Sequence, residues 1–144
     1  MDGVILVHEV LHSLKSSRIP GMLIKLDIAK AYDKLNWEFM ENMLGAYSFS
    51  PDWVEWVMGL VSLPFFNILL NGSSTSSFQP SQGIRQGDPL SPFLFILMAE
   101  GLSHLIAAQV ERGAIHGVKA HEGAPPQMHQ QFVDDTMLMG HPSV

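Results

Sequence analysis

Phe132-Val133-Asp134-Asp135 sets two adjacent carboxylates between Gln131-Phe132-Val133 and Met137-Leu138-Met139. An unpaired carboxylate is costly to bury, so the pair belongs in a tight turn or beside a cation. Adjacent residues on a strand point to opposite faces, so a turn is needed if both are to approach one site. The stretch therefore reads as a β-hairpin, residues 130–133 and 136–139, whose tip presents Asp134 and Asp135 to a divalent metal. A solvated acidic turn is the plain alternative, and the rest of the chain decides between the two.

The chain's 144 residues suffice for one domain with a core. A hydrophobic content of 47% argues against disorder. Cysteine is absent, which excludes disulfides and thiolate metal sites. No basic segment followed by an apolar run marks a signal peptide. No apolar run approaches the roughly 20 residues that span a bilayer. The longest, residues 92–99, reads as part of a buried helix, so no membrane partner is expected. The net charge of −6 weighs against independent nucleic-acid binding, which draws its affinity from neutralised phosphates. Five of the eight basic residues (Lys15, Arg18, Lys25, Lys30 and Lys34) lie in the first 34 positions.

Taken in order, residues 4–14 have helical periodicity ending near Ser16-Ser17. This helix contains His8-Glu9-Val10-Leu11-His12, which matches the zinc-protease pattern. Catalytic zinc needs a third protein ligand, and only Glu38 and Glu41 offer themselves. An amphipathic helix with two polar-edge histidines is the plainer reading. Residues 22–26 read as a buried strand, with Asp27 at its C-terminal end, where catalytic carboxylates of α/β folds tend to lie. Asp33 is expected to cap a helix starting near Asn36. Ser50-Pro51 opens another helix whose Trp53, Val54, Val57, Leu60 and Val61 face the core. Residues 65–70, Asn71-Gly72 and Phe78 read as a second hairpin. The loop Gly83-Ile84-Arg85-Gln86-Gly87-Asp88 feeds a long helix capped by Ser91-Pro92. Such a loop suits the phosphates or base of a nucleotide. Gly113 closes that helix.

Three elements thus stand in sequence: a strand ending in Asp27, a glycine-bearing loop, and a hairpin bearing Asp134-Asp135. The fold class expected is α+β, a split β-α-β antiparallel sheet with helices on one face. Three carboxylates at one point make sense if they share divalent cations. Magnesium prefers hard oxygen ligands completed by substrate phosphates.

At these residues the chain resembles the palm of a reverse transcriptase, of the non-LTR, LINE-like retrotransposon type found in plants. The resemblance rests on Leu26-Asp27-Ile28-Ala29-Lys30-Ala31-Tyr32-Asp33, on Gly83-Ile84-Arg85-Gln86-Gly87-Asp88-Pro89-Leu90-Ser91-Pro92, and on Phe132-Val133-Asp134-Asp135. It implies one partial reverse transcriptase domain, with residues 1–20 at the edge of the fingers and residues 21–144 forming the palm. The N-terminal basic cluster would belong to that fingers edge.

The same resemblance implies the site. Asp27, Asp134 and Asp135 would be the catalytic carboxylates, holding Mg2+ or Mn2+ together with the backbone carbonyl of Ile28. Tyr32, beside Ala31, would stack under the incoming sugar and exclude a ribose 2′-hydroxyl. Gln86 and Gly87 would line the nucleotide pocket, and Arg85 would assist through phosphate contact. Phe132 and Val133 would support the catalytic turn; the family commonly has alanine where Val133 stands. The implied partners are an RNA template, a DNA primer and dNTPs, together with fingers and thumb segments outside this chain. The fragment alone is then expected to polymerise poorly or not at all. The family acts in the nucleus or cytoplasm, and no localisation signal is visible. Competing readings are a non-catalytic remnant or binding module, an RNA-dependent RNA polymerase palm, and the zinc protease.

Overall fold

The computed structural model describes residues 3–17, 20–119, 121, 123–132 and 135–141. The chain divides into two compact units, one of Met1–Ala29 with Ala99–Val144 and the other of Lys30–Met98. The long helix α4 (Ser91–Glu111) contributes to both.

In the first unit, α1 (Gly3–Ser17) precedes β1 (Met22–Asp27), and β4 (His129–Phe132) and β5 (Asp135–Gly140) close the chain. The sheet order is β1-β5-β4, antiparallel throughout. The hairpin expected over residues 130–133 and 136–139 is present, with Val133 and Asp134 outside the described residues. Val10, Val118 and Met139 form its buried cluster, with Leu14 and Leu23 packed against it.

The strand before Asp27 forms where expected, but it is not buried. It lies at the sheet edge, and Met22, Ile24 and Leu26 remain 50%, 38% and 42% exposed. An apolar run signals a strand, yet only its neighbours determine what covers it. Helices are expected on one face of the sheet, but they cover both: Ser103 of α4 meets His129 and Gln131 on one face. α1 instead packs against Leu23 and Met139, register partners that alternate with those residues.

The second unit holds α2 (Trp37–Ala46), α3 (Pro51–Ser62), the hairpin β2 (Leu69–Leu70) and β3 (Ser73–Ser74), and the start of α4. Its core joins Met40, Leu44, Val54, Val57, Ile84, Leu94, Phe95 and Met98. Asn36, not Asp33, caps α2, its side chain accepting from the Phe39 N–H at 2.8 Å. The cap must sit three residues before the orphan donor it satisfies, and Asp33 is too far upstream. Its own N–H instead closes a turn onto Lys30 O. Ser50 caps α3 as expected. Leu60, expected in the core, is 60% exposed. Asn71 and Gly72 take positive φ (50° and 84°) in the expected hairpin turn.

α4 also departs from expectation. An 18-residue window within it has a mean hydropathy of 1.7, so the helix is long and apolar enough to cross a membrane by length and composition. Counting uninterrupted apolar residues misses this, because Glu100, Ser103 and His104 interrupt the run. Leu94, Phe95 and Met98 are buried, whereas Phe93 and Ile96 are exposed, so the buried-helix expectation holds for one stripe.

Candidate functional site

The carboxylates are positioned by strand ends. β1 ends at Asp27 and β5 begins at Asp135, and the ladder makes these two residues direct partners. Directly opposed antiparallel residues project from one face with Cβ atoms about 5 Å apart. Lys25 lies two residues before Asp27, hence on the same face, and its Nζ is 2.9 Å from Asp135 Oδ1. The pair is half-exposed, at 55% and 39% of the side chains, so water screens it and it contributes little to stability. Its meaning is electrostatic, since positive charge is drawn to this spot. Ile28 follows Asp27 and is 41% exposed.

The structure thus brings together two of the three expected carboxylates, while Asp134 and Val133 lie outside the described residues, as does the Phe132 side chain. Among the described residues, no group of three His, Asp or Glu side chains is placed to hold a metal. Two facing carboxylates nonetheless offer the hard, anionic oxygens that a divalent cation takes. His8 and His12 are exposed on α1, without a third ligand among the described residues.

The second unit carries the other expected residues. Gly83 has φ 89°, and its N–H donates to Leu35 O at 2.7 Å. The Ile84 N–H donates to Tyr32 O at 2.9 Å, and Trp37 Nε1–H to Gly83 O at 2.7 Å. These bonds stitch the Tyr32 loop to the glycine loop. The Tyr32 ring stacks on Phe95, with centroids 4.8 Å apart and planes 9° from parallel. Ala31 packs against the same core. Beside them lies a cleft of about 550 Å³ whose lining includes Asp33, Phe66, Phe78, Arg85 and Gln86. Gln86 and Gly87 are exposed, and Gly87 also takes positive φ. Arg85, expected to meet phosphate, holds Asp88 Oδ2 at 2.6 Å. Asp88 Oδ1 accepts from the Leu90 N–H, which fixes the entry to α4.

Lys25 and the trio Ser103, His129 and Gln131 carry contacts that the sequence reading did not assign. Lys25, grouped with the fingers edge, is a β1 residue bound to Asp135, and the period-two spacing to Asp27 was the available signal. His129 and Gln131 meet Ser103, a contact that no local pattern announces. Burial lowers the His129 pKa from its ordinary 6.5, with Glu100 opposing the shift.

Residues 3–142 match the family model described as reverse transcriptase (RNA-dependent DNA polymerase). An uncharacterized mitochondrial protein of Arabidopsis thaliana is 44% identical over 68 residues, covering 47% of this chain and 56% of that protein. A Pol polyprotein from a type-2 retrotransposable element of Drosophila melanogaster is 32% identical over 110 residues, 76% of this chain and 10% of its own length. The transposon TX1 protein of Xenopus laevis is 27% identical over 96% of this chain and 10% of its own length. The chain thus spans about half of the Arabidopsis protein and a tenth of the two transposon proteins. Among solved structures, telomerase from Candida albicans, complexed with a fragment of telomeric RNA, superposes with a TM-score of 0.67. That match has 10% identity and covers 96% of this chain and 26% of the telomerase. Likeness at that identity speaks for the fold.

Proposed function

The chain belongs to the reverse transcriptase (RNA-dependent DNA polymerase) family, and from that premise we propose that it is the palm core of a LINE-type retroelement's RNA-directed DNA polymerase. The carrying observation is Asp27 facing Asp135 across the β1–β5 ladder. The retroelement relatives and the telomerase solved with RNA support an RNA template as partner. Residues 21–144 form the palm and residues 1–20 lead in from the fingers.

Asp27, Asp134 and Asp135, with the Ile28 carbonyl, would hold Mg2+ or Mn2+. Two such ions, when bound, supply the charge that activates a primer 3′-hydroxyl and stabilises the pyrophosphate leaving a dNTP. The chain's own residues orient and select. The Tyr32 ring, stacked on Phe95 while the Ile84 N–H holds the residue's backbone carbonyl, blocks a ribose 2′-hydroxyl. Gln86 and Gly87 line the nucleotide and template pocket, and Arg85 reaches phosphate on exchanging Asp88 for it. The net charge of −6 leaves the duplex poorly held, so this chain alone extends primers weakly.

The test is a Mn2+ titration read by electron paramagnetic resonance, on the parent and on Asp134→Asn. Binding that weakens in the variant is the expected result. Identical titrations would favour a non-catalytic remnant. Primer extension on an RNA template checks the second claim: robust DNA synthesis by the isolated chain would overturn it.

A further inference from the structure

β4 reads His129-Gln130-Gln131-Phe132 and carries almost no hydrophobic pattern. Strand register is ordinarily set by which residues are apolar, because a one-residue slip turns every side chain to the other face. In β4 a slip that brings Gln130 opposite Thr136 exchanges one glutamine for another, and only Phe132 carries any apolar signal, so the pattern specifies the pairing weakly. The structure supplies another determinant on the face toward α4. Ser103 Oγ lies 2.9 Å from His129 Nε2 and donates to Gln131 Oε1 at 3.3 Å. With that donor used, His129 gives its own Nε2–H to the serine oxygen. All three side chains are half-buried, where an unmade hydrogen bond is costly. Gln130 faces the other way, its Nε2 donating to the Gln131 carbonyl at 3.4 Å.

We propose that Ser103, His129 and Gln131 form a polar clamp that fixes the register of β4 on β5. That register pairs Gln131 with Thr136 and Phe132 with Asp135. It also decides which residue of β4 stands opposite Asp135. The three are positioning residues for the carboxylates; the clamp rests on the polymerase reading only for what those carboxylates do.

The experiment maps cross-strand nuclear Overhauser contacts in the 144-residue chain, with Ser103→Ala, Ser103→Thr and Gln131→Met as variants. Ser103→Ala should show a second register, with Thr136 opposite Gln130 or Phe132, and Mn2+ affinity lowered roughly two- to tenfold, as for loss of one or two ordinary hydrogen bonds. Ser103→Thr keeps the hydroxyl and should restore both. Gln131→Met keeps length and burial, removes one acceptor, and should show the second register even if Ser103→Ala fails to fold. A single parental register in the folded variants would overturn the clamp. Absence of Mn2+ binding by the parent would count against the polymerase reading and leave the register result standing.

Discussion

Asp27 and Asp135 stand directly opposite each other across the β1–β5 ladder, two negative charges on one face. Like charges so placed disfavour the strand pairing by about 0.2–1 kcal/mol. Asp27→Asn should therefore raise stability slightly in metal-free buffer while weakening Mn2+ binding. Thermal melts with and without Mn2+ check this: the ion should stabilise the parent by preferential binding to the folded state and stabilise the variant less.

Lys25 tempers that repulsion through its 2.9 Å contact with Asp135. Lys25→Met should lower metal-free stability by less than about 1 kcal/mol, since the pair is exposed. It should also tighten Mn2+ binding, because the ammonium competes for the same oxygen. An unchanged Mn2+ titration would show that the lysine and the ion do not share the site.

Gly83 and Gly87 both take positive φ, but only Gly83 is crowded. A Cβ there would lie 2.7 Å from Asp33 O, whereas a Cβ at Gly87 meets nothing within 4 Å. Gly83→Ala should cost about 3 kcal/mol, combining conformational strain with a backbone clash. Gly87→Ala should cost about 1 kcal/mol from strain alone. Urea midpoints rank them.

The α2 cap discriminates between two neighbours. Asn36→Ala removes the acceptor for the Phe39 N–H and should cost about 1 kcal/mol. Asp33→Ala should cost less, since α2 does not use its side chain. Denaturant unfolding of the two single variants decides the order.

His129 gives the fold a pH dependence. Burial lowers its pKa below 6.5, against the pull of Glu100. The unfolded chain then takes up a proton that the folded chain resists, so stability rises with pH across that interval. The contribution is fully present above 6.5, falls on acidification toward the folded pKa, and is constant below it. Between about pH 7 and pH 5 the parent's melting temperature should drop more than that of His129→Gln. Parallel curves would show that His129 does not set this pH dependence.

Much of the fold was legible because its signals are local. The Ser50-Pro51 start, the Asn71-Gly72 turn and the closure at Gly113 each follow from the dihedral needs of one or two residues. Burial was not legible. The apolar strand at 22–26 is an exposed edge, and Leu60 is open on α3, because burial depends on what packs from distant parts of the chain. The α2 cap was misplaced by three residues, where Asn36 and Asp33 both offered suitable side chains.

The sequence by itself determined which residue types stand in which order: the strand ending in Asp27, the loop from Gly83 to Asp88, and the Asp134-Asp135 pair. Their periodicity and turn chemistry are properties of neighbouring residues, so they survive without a partner element. The family resemblance implied that Asp27 and the Asp134-Asp135 pair share a site; tertiary structure alone decided that Asp27 and Asp135 are direct ladder partners, that Lys25 answers that charge, and that Ser103 reaches His129 and Gln131. Those pairings join residues at least 26 positions apart, and only strand register and helix packing choose among such contacts.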